Sequence, residues 1–412
     1  MQYGLIGEKL LHSFSKEIHE ALTDYTYELC EISRDNLAKF LQDREFRAIN
    51  VTMPYKKEVI PHLDYVDDAA NKLQAVNCIV NRDGKLYGYN TDYFGMRDLI
   101  LKSKIDISDK KVLILGTGGT ARTSSLACRD LGATDITLVS RDKKAGAITY
   151  DEAYSLYSDA QIIINATPVG MYPNSYSSPL DLNRFSNPLA VFDAVYNPIR
   201  TRLVLDARKR GIYAEGGLYM LVSQAVYAIE LFLDTTLDAS KIDEIYKKIL
   251  KSKENIVLIG MPSSGKTTVG TILAKDFGRE LYDLDDEIEK QIGCTIAQYF
   301  KSHTEKEFRD IETQITKEIS KKNGIIIATG GGCILREENV DTLRSNGRLY
   351  FIDRDLESLT PTDSRPLATK KEAIKKLYEA RYELYLGASD VKIDGNLTPK
   401  GEANLIREEF LK

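Results

Sequence analysis

Asn255-Ile-Val-Leu-Ile-Gly-Met-Pro-Ser-Ser-Gly-Lys-Thr-Thr268 divides the chain. Its first five residues read as a short apolar strand, and the residues after Gly265 read as a helix. Between them, Gly260-x-x-x-x-Gly265-Lys266-Thr267 matches the phosphate-binding loop. In such a loop the backbone at Gly260, Ser263, Ser264, Gly265 and Thr268 faces phosphate oxygens, with the helix N-terminus behind it. Lys266 is expected to reach the β- and γ-phosphates, and the Thr267 hydroxyl to hold Mg²⁺. Folds with this loop open on the strand before it, so a domain boundary is expected next to Asn255. The chain ahead of it is too long for a tail and must form a unit of its own.

With 412 residues there is room for two or three cores. A net charge of −5 argues against nucleic acid as the main partner. Cys30, Cys78, Cys128, Cys294 and Cys333 are odd in number and lack short paired spacings. Such a pattern fits reduced thiols in a cytoplasmic protein better than disulfides or a zinc site. No run approaches membrane-spanning length. The opening Met1-Gln-Tyr-Gly-Leu-Ile-Gly7 reads as a strand rather than a signal peptide. Oligomeric state is left open.

Working back from the loop, a second glycine motif stands out. Lys111-Val-Leu-Ile-Leu115 reads as a buried strand running into Gly116-Thr-Gly118-Gly119-Thr-Ala121-Arg122, and Asp135–Val139 reads as the next strand. This G-x-G-x-x-A turn between strand and helix is the dinucleotide fingerprint. After the second strand come Ser140, Arg141, Asp142, Lys143 and Lys144. Arg141 and the lysines suit a 2′-phosphate, hence NADP, although Asp142 could accept from a 2′-hydroxyl. Later strands are expected at 162–167, ending on Thr167, and at 190–195, with Tyr196 in the loop beyond. A helix is expected over 218–233, with Gln224 near its start.

Before the fingerprint, strands are expected at 3–6, 27–32 and 48–52, with helices near 17–22 and 36–41. A hairpin is expected to turn at Asn81-Arg-Asp-Gly84. Polar clusters sit at the strand ends: His12-Ser13-Phe14-Ser15, Asn50 to Lys56, Asn77, and Gly88 to Asp92. Each has a plain structural alternative. Ser13 or Ser15 could cap a helix, Lys56 could be solvated, and Asp92 could be an N-cap.

Taken together the motifs are more specific. His12-Ser-Phe-Ser15, Asn50-Val-Thr-Met-Pro-Tyr-Lys56, Ala75-Val-Asn77, Gly88-Tyr-Asn-Thr-Asp92, Asn165-Ala-Thr-Pro-Val-Gly-Met171, Asp193-Ala-Val-Tyr196 and Gly217-Leu-Tyr-Met-Leu-Val-Ser-Gln224 occur in that order. With them, the first part of the chain resembles shikimate dehydrogenase. The resemblance implies a catalytic pair, Lys56 and Asp92. It implies substrate contacts at Ser13, Ser15, Thr52, Asn77, Asn90, Tyr196 and Gln224, and Gly217 and Met220 near a nicotinamide.

Beyond the phosphate-binding loop, Leu281–Ile288 reads as a strand ending in Asp283 and Asp285. Phe308-Arg309-x-x-Glu312 lies on a helical stretch, Gly330-Gly331-Gly332 follows an apolar run, and Arg365-Pro-Leu367 and Arg381 come late. The acids could be a solvated strand end, and Arg309 an i,i+3 partner of Glu312. In this order the motifs resemble shikimate kinase. That implies Asp283 near Mg²⁺, Asp285 orienting the reacting hydroxyl, and Arg309 and Arg381 holding a carboxylate. It also implies Gly331 and Gly332 against substrate, and Arg365 in a lid over ATP.

The expected architecture is α/β throughout. A two-layer substrate domain (1–101, completed by 217–250) and a Rossmann-like NADP domain (102–216) precede a P-loop kinase domain with a parallel sheet (254–412). The function implied is a fused dehydrogenase and kinase using NADP(H), ATP and Mg²⁺ on small-molecule substrates, with no membrane or nucleic-acid partner. The segment 356–370 is short for a lid. It motivates a second reading, an active shikimate or quinate dehydrogenase carrying a weakly active or regulatory kinase-like domain.

Overall fold

The computed structural model describes residues 1–10, 14–144, 146–361 and 370–412. The chain divides into two compact units, Met1–Ile249 and Leu250–Lys412.

The first unit holds two sheets. One contains β1 (Tyr3–Gly7), β2 (Tyr27–Glu31), β3 (Ala48–Val51), β4 (Tyr65–Val66), β5 (Cys78–Arg82) and β6 (Lys85–Tyr89), in the order β2-β1-β3-β5-β6-β4. Pairing is parallel around β1 and antiparallel from β3 through β5 to β6. Ile6, Ile49, Val51, Ile79 and Leu86 form the buried layer on this sheet. The hairpin is tighter than the sequence suggests. Arg82 pairs with Lys85, leaving only Asp83 and Gly84 in the turn, with φ of 52° and 80°. Two positive φ values are what a two-residue type I′ turn demands. Asn77 falls just outside β5.

The second sheet contains β7 (Lys111–Leu115), β8 (Asp135–Val139), β9 (Ile162–Asn165), β10 (Ala190–Asp193) and β11 (Tyr213–Glu215), in the order β11-β10-β9-β7-β8. All neighbours are parallel, and the interior strands are apolar runs buried on both faces. Strand order reverses between β7 and β9. In doubly wound sheets that is where ligands bind. Helix Leu218–Leu233 returns to pack on helix Asp92–Lys102. Gly95 allows the close approach, since a Cβ there would lie 2.5 Å from the Met220 carbonyl.

The second unit has one parallel sheet of β12 (Asn255–Ile259), β13 (Leu281–Asp283), β14 (Ile326–Ala328), β15 (Gly347–Asp353) and β16 (Val391–Asp394), in the order β13-β14-β12-β15-β16. Glu254 alone separates helix Ser240–Lys253 from β12. The expected strand 281–288 is also corrected. It stops at Asp283, whose side chain accepts from Asp285 N–H and caps helix Leu284–Ile292. Leu284 and Ile288, four apart and fully buried, form the helix's inner face. All five cysteines are free. Among the described residues, no helix is long and apolar enough to cross a membrane.

Candidate active sites

Lys56 is placed by a turn at the carboxyl end of β3. Tyr55 N–H donates to Thr52 O at 3.0 Å, and the fully buried Tyr55 sends its hydroxyl to Ile32 O at 2.5 Å. Val76 N–H then donates to Lys56 O at 2.7 Å. Held this way, Lys56 Nζ lies 2.5 Å from Asp92 Oδ2, with side-chain exposures of 29% and 19%. Asp92 is not the N-cap. Thr91 holds that position, and Asp92 opens helix Asp92–Lys102, where the helix dipole favours its negative charge.

A buried amide network fixes the carboxylate. Asn77 Nδ2 donates to Asp92 Oδ1 at 2.9 Å, and Asn77 Oδ1 accepts from Thr91 N–H at 2.7 Å. Thr91 Oγ1 lies 3.2 Å from Gln224 Oε1. Lys56, Asp92, Asn77 and Gln224 are therefore brought together from four distant stretches. Thr91 and Asn50 belong to the same tract but are not singled out by sequence reasoning. Asn50 Nδ2 donates to Asn77 O at 3.2 Å and its Oδ1 accepts from Tyr27 at 2.7 Å. Their places inside the 50–56 and 88–92 motifs are the available signal.

Other expected contacts differ in kind. Asn90 is buried, donating to Ala75 O at 2.8 Å and accepting from Tyr93 N–H at 3.3 Å, which ties the two loops together. Ser15 is buried as the first residue of helix Ser15–Leu22, with Phe14 as N-cap. The Phe14 ring meets Tyr196 at 5.4 Å. Thr52 is half-buried beside Gly7, where a Cβ would meet its methyl at 2.7 Å. Ser13 lies outside the described residues.

At the β7/β9 crevice the residues fit a dinucleotide. Gly116 has φ of +111°, and a Cβ on it would press on Thr167 Cγ2 at 3.1 Å. A Cβ on Gly118 would meet nothing within 4 Å, so the turn is open on that side. Helix Gly119–Asp130, with Ala121 buried in its first turn, has no side-chain cap, leaving backbone N–H groups for a pyrophosphate. Thr167 is fixed through Asn165, its hydroxyl donating to Asn165 Oδ1 at 2.6 Å. Beyond β8, Ser140 N–H donates to Ile148 O at 2.9 Å. Lys143 pairs with Glu152 at 2.5 Å and Lys144 with Asp142 at 3.3 Å. Arg141 has no carboxylate partner among the described residues. Gly217 lies against β10's exit, where a Cβ would overlap Ala194 O, and Met220 is buried on helix Leu218–Leu233.

Asp193 ties this floor together. It accepts from Asn165 Nδ2 and Val195 N–H at 2.9 Å each and from Thr201 Oγ1 at 2.6 Å. It is fully buried, and burial pushes its pKa from 3.8 to about 6 against those hydrogen bonds. A carboxyl raised in the fold favours the folded state below its unfolded pKa and loses that contribution as pH rises through the folded one. Two pKa units correspond to about 3 kcal/mol. Urea unfolding of the first unit at pH 4.5 and 7 is expected to show wild type losing most of that amount relative to Asp193→Asn. A pH dependence identical in the two proteins would exclude it.

In the second unit the phosphate-binding loop has φ of +152° at Gly260, +65° at Ser263 and +95° at Gly265. Lys266 Nζ donates to the carbonyls of Gly260 and Met261 at 2.9 and 2.8 Å, with buried Ser264 Oγ at 3.4 Å. Thr267 and Thr268 are exposed at the helix start. Thr267 Oγ1 donates to Asp283 Oδ2 at 2.6 Å, so the two groups expected to hold Mg²⁺ face one another.

Beside this pair is a cavity of about 310 Å³, lined by Asp285, Arg309, Glu312, the triple glycine and Arg381 among others. Each glycine makes room for one neighbour. A Cβ on Gly330 would lie 2.5 Å from Asp285 Oδ1, one on Gly331 2.7 Å from the Pro262 ring, and one on Gly332 inside the Arg309 guanidinium. Arg309 donates to Glu312 at 2.7 Å and Glu305 at 3.2 Å, while its buried Nε has no partner among the described residues. Burial raises the Glu312 pKa, with Arg309 opposing. Arg381 Nη1 donates to Gly331 O at 2.9 Å and has no carboxylate partner among the described residues. Tyr385, one turn along, donates to the same carbonyl at 2.5 Å. Sequence reasoning misses it, and only its i,i+4 spacing from Arg381 could have flagged it. Arg365 and the rest of the expected lid from 362 to 369 lie outside the described residues.

This geometry can be set beside known proteins. A shikimate dehydrogenase (NADP(+)) from Clostridium beijerinckii is 37% identical over 261 residues, covering 59% of this chain and 96% of that protein. The chain belongs to the shikimate dehydrogenase family. The family model for the shikimate dehydrogenase substrate binding domain matches residues 5–79. The crystal structure of shikimate dehydrogenase 1 from Peptoclostridium difficile aligns at a TM-score of 0.55 and 37% identity, covering 60% of this chain and 98% of that one. A Thermus thermophilus shikimate 5-dehydrogenase, solved in complex with NADP(H) and shikimate, aligns at 0.54 and 28%, covering 60% and 99%. The shikimate kinase family model matches residues 262–411, so a shikimate kinase domain is fused to the dehydrogenase.

Proposed function

We propose that this one chain catalyses two consecutive reactions. The first unit reduces 3-dehydroshikimate to shikimate, and the second phosphorylates the 3-hydroxyl of that shikimate. NADPH, when bound at the β7/β9 crevice, supplies the hydride. Lys56 gives a proton to the oxygen that becomes the new hydroxyl, while Asp92 orients the ammonium. Asn77 and Gln224 hold the neighbouring hydroxyls. The uncapped helix start at Gly119 and Arg141, which has no carboxylate partner among the described residues, support NADP as the cofactor.

In the second unit, Lys266 and the loop backbone would hold the phosphates of ATP. Thr267 and Asp283 are the groups placed to hold Mg²⁺, a hydroxyl and a carboxylate being suitable hard oxygen donors. Asp285 takes the hydroxyl proton. Arg309 and Arg381 clamp the shikimate carboxylate, a task suited to the guanidinium fork.

The observation that carries the kinase reading is the cavity where Asp285, the unpartnered Nε of Arg309, and Arg381 converge beside the Thr267–Asp283 pair. The test is ADP release by the purified chain with MgATP and shikimate and no nicotinamide cofactor. Release that depends on shikimate is the expected result. Absent release, with NADP still reduced by shikimate, would leave the second unit a nucleotide-binding module.

A further inference from the structure

We infer that Arg354 is a second cationic contact to the nucleotide phosphates, acting beside Lys266; this rests on the reading that the second unit binds ATP. Arg354 is the first residue beyond β15. That strand pairs with β12 as far as Ile259 and Phe351, so its end lies alongside the start of the phosphate-binding loop. A Cβ on Gly260 would meet Ile352 O at 2.8 Å, a measure of how close the two chains run. At the far end of the loop, a Cβ on Gly265 would find Arg354 Nη1 as its nearest neighbour, at 3.9 Å. Gly265 is the N-cap of helix Lys266–Phe277, and no side chain caps it. The guanidinium therefore lies beside the backbone N–H groups that face phosphate.

Its orientation is imposed from behind. Arg354 Nε donates to Gly395 O at 2.7 Å, and Nη2 lies 3.4 Å from Glu402 Oε1. Glu402 is 1% exposed and Arg354 23% exposed. Gly395 must lack a side chain for this, because a Cβ would sit 2.9 Å from Arg354 N. Two nitrogens are thus used for anchoring. Nη1, the one nearest the loop, has no partner among the described residues. With Arg354 partly exposed, Nη1 stands open beside the phosphate-binding turn, where a phosphate oxygen can reach it. A nucleoside triphosphate carries several negative charges, and beside Lys266, the helix start and the Mg²⁺ groups a planar, permanently charged fork suits part of them.

The experiment measures binding of ADP with Mg²⁺, and separately of adenosine, to the full chain by calorimetry. Arg354→Ala is expected to weaken ADP by roughly 10- to 100-fold, the range for a lost charge-assisted hydrogen bond. Adenosine affinity, shikimate affinity and NADP reduction should stay unchanged. Arg354→Lys should recover part of the loss by restoring charge without the fork. ADP affinity within twofold of wild type in Arg354→Ala would overturn the inference. So would an equal loss for ADP and adenosine together with a lowered melting temperature, since that describes a structural anchor. A wild-type chain that binds no ADP would overturn the kinase reading itself, and the Arg354 inference with it.

Discussion

Lys56→Ala should lower the rate of NADP reduction by shikimate by roughly 10²- to 10⁴-fold, the usual worth of a positioned acid–base group. Shikimate-dependent ADP release should continue at the wild-type rate. The loss should fall on kcat more than on KM. Lys56 is turned by its 2.5 Å contact toward Asp92, whereas Asn77 and Gln224 are held by their own network and would survive the substitution. The alanine variant also leaves Asp92 its amide partner, so the carboxylate is not orphaned and the fold should tolerate the change. Shikimate binding measured without NADP should therefore stay within a few-fold of wild type. If the variant oxidises shikimate at a near-normal rate, the pair is an ordinary ion pair. If binding collapses along with turnover, Lys56 is a substrate anchor rather than a proton donor.

What the sequence makes legible is what local stereochemistry dictates. Gly116, Gly260 and Gly265 each adopt positive φ, and a backbone that must curl around phosphate announces itself through such residues. The burial of β7, β9 and β12 follows from apolar runs bounded by glycines. The residues that eluded the sequence owe their roles to partners far along the chain. Nothing near Asn90 says whether its amide points into the site or back to Ala75 O. Nothing near Tyr385 announces the Gly331 carbonyl, 54 residues away. Asp285 was misplaced for a local reason. Leu281–Ile288 carries both an alternating and a helical pattern, and the cap made by Asp283 decides for the helix. The sequence leaves Arg309 open to two readings, and its pairing with Glu312 does not take up the whole guanidinium. It pairs with Glu312 at i,i+3, and it still presents an unpartnered Nε and lines the cavity.

Asp285→Asn should reduce shikimate phosphorylation by a similar 10²- to 10⁴-fold, roughly, while leaving NADP reduction intact. The asparagine has the same shape, so it can occupy the space that Gly330 leaves for the carboxylate, and Gly330 need not move. The cap on helix Leu284–Ile292 should persist, because Asp283 makes it through the backbone N–H of residue 285. Thr267 keeps its bond to Asp283, so ADP and Mg²⁺ should bind as before. Arg309 and Arg381 are untouched, so shikimate affinity should hold within a few-fold. What disappears is the carboxylate proposed to take the hydroxyl proton as the phosphoryl group transfers; Asp283, which also lines the cavity, is held by Thr267. Glu312 is a poor substitute, since its carboxylate is already bound to Arg309. Phosphorylation at the wild-type rate by Asp285→Asn would remove Asp285 from the proton-accepting role. An equal fall in shikimate affinity and turnover would make it a binding group, and the orientation of substrate in this cavity would have to be reversed.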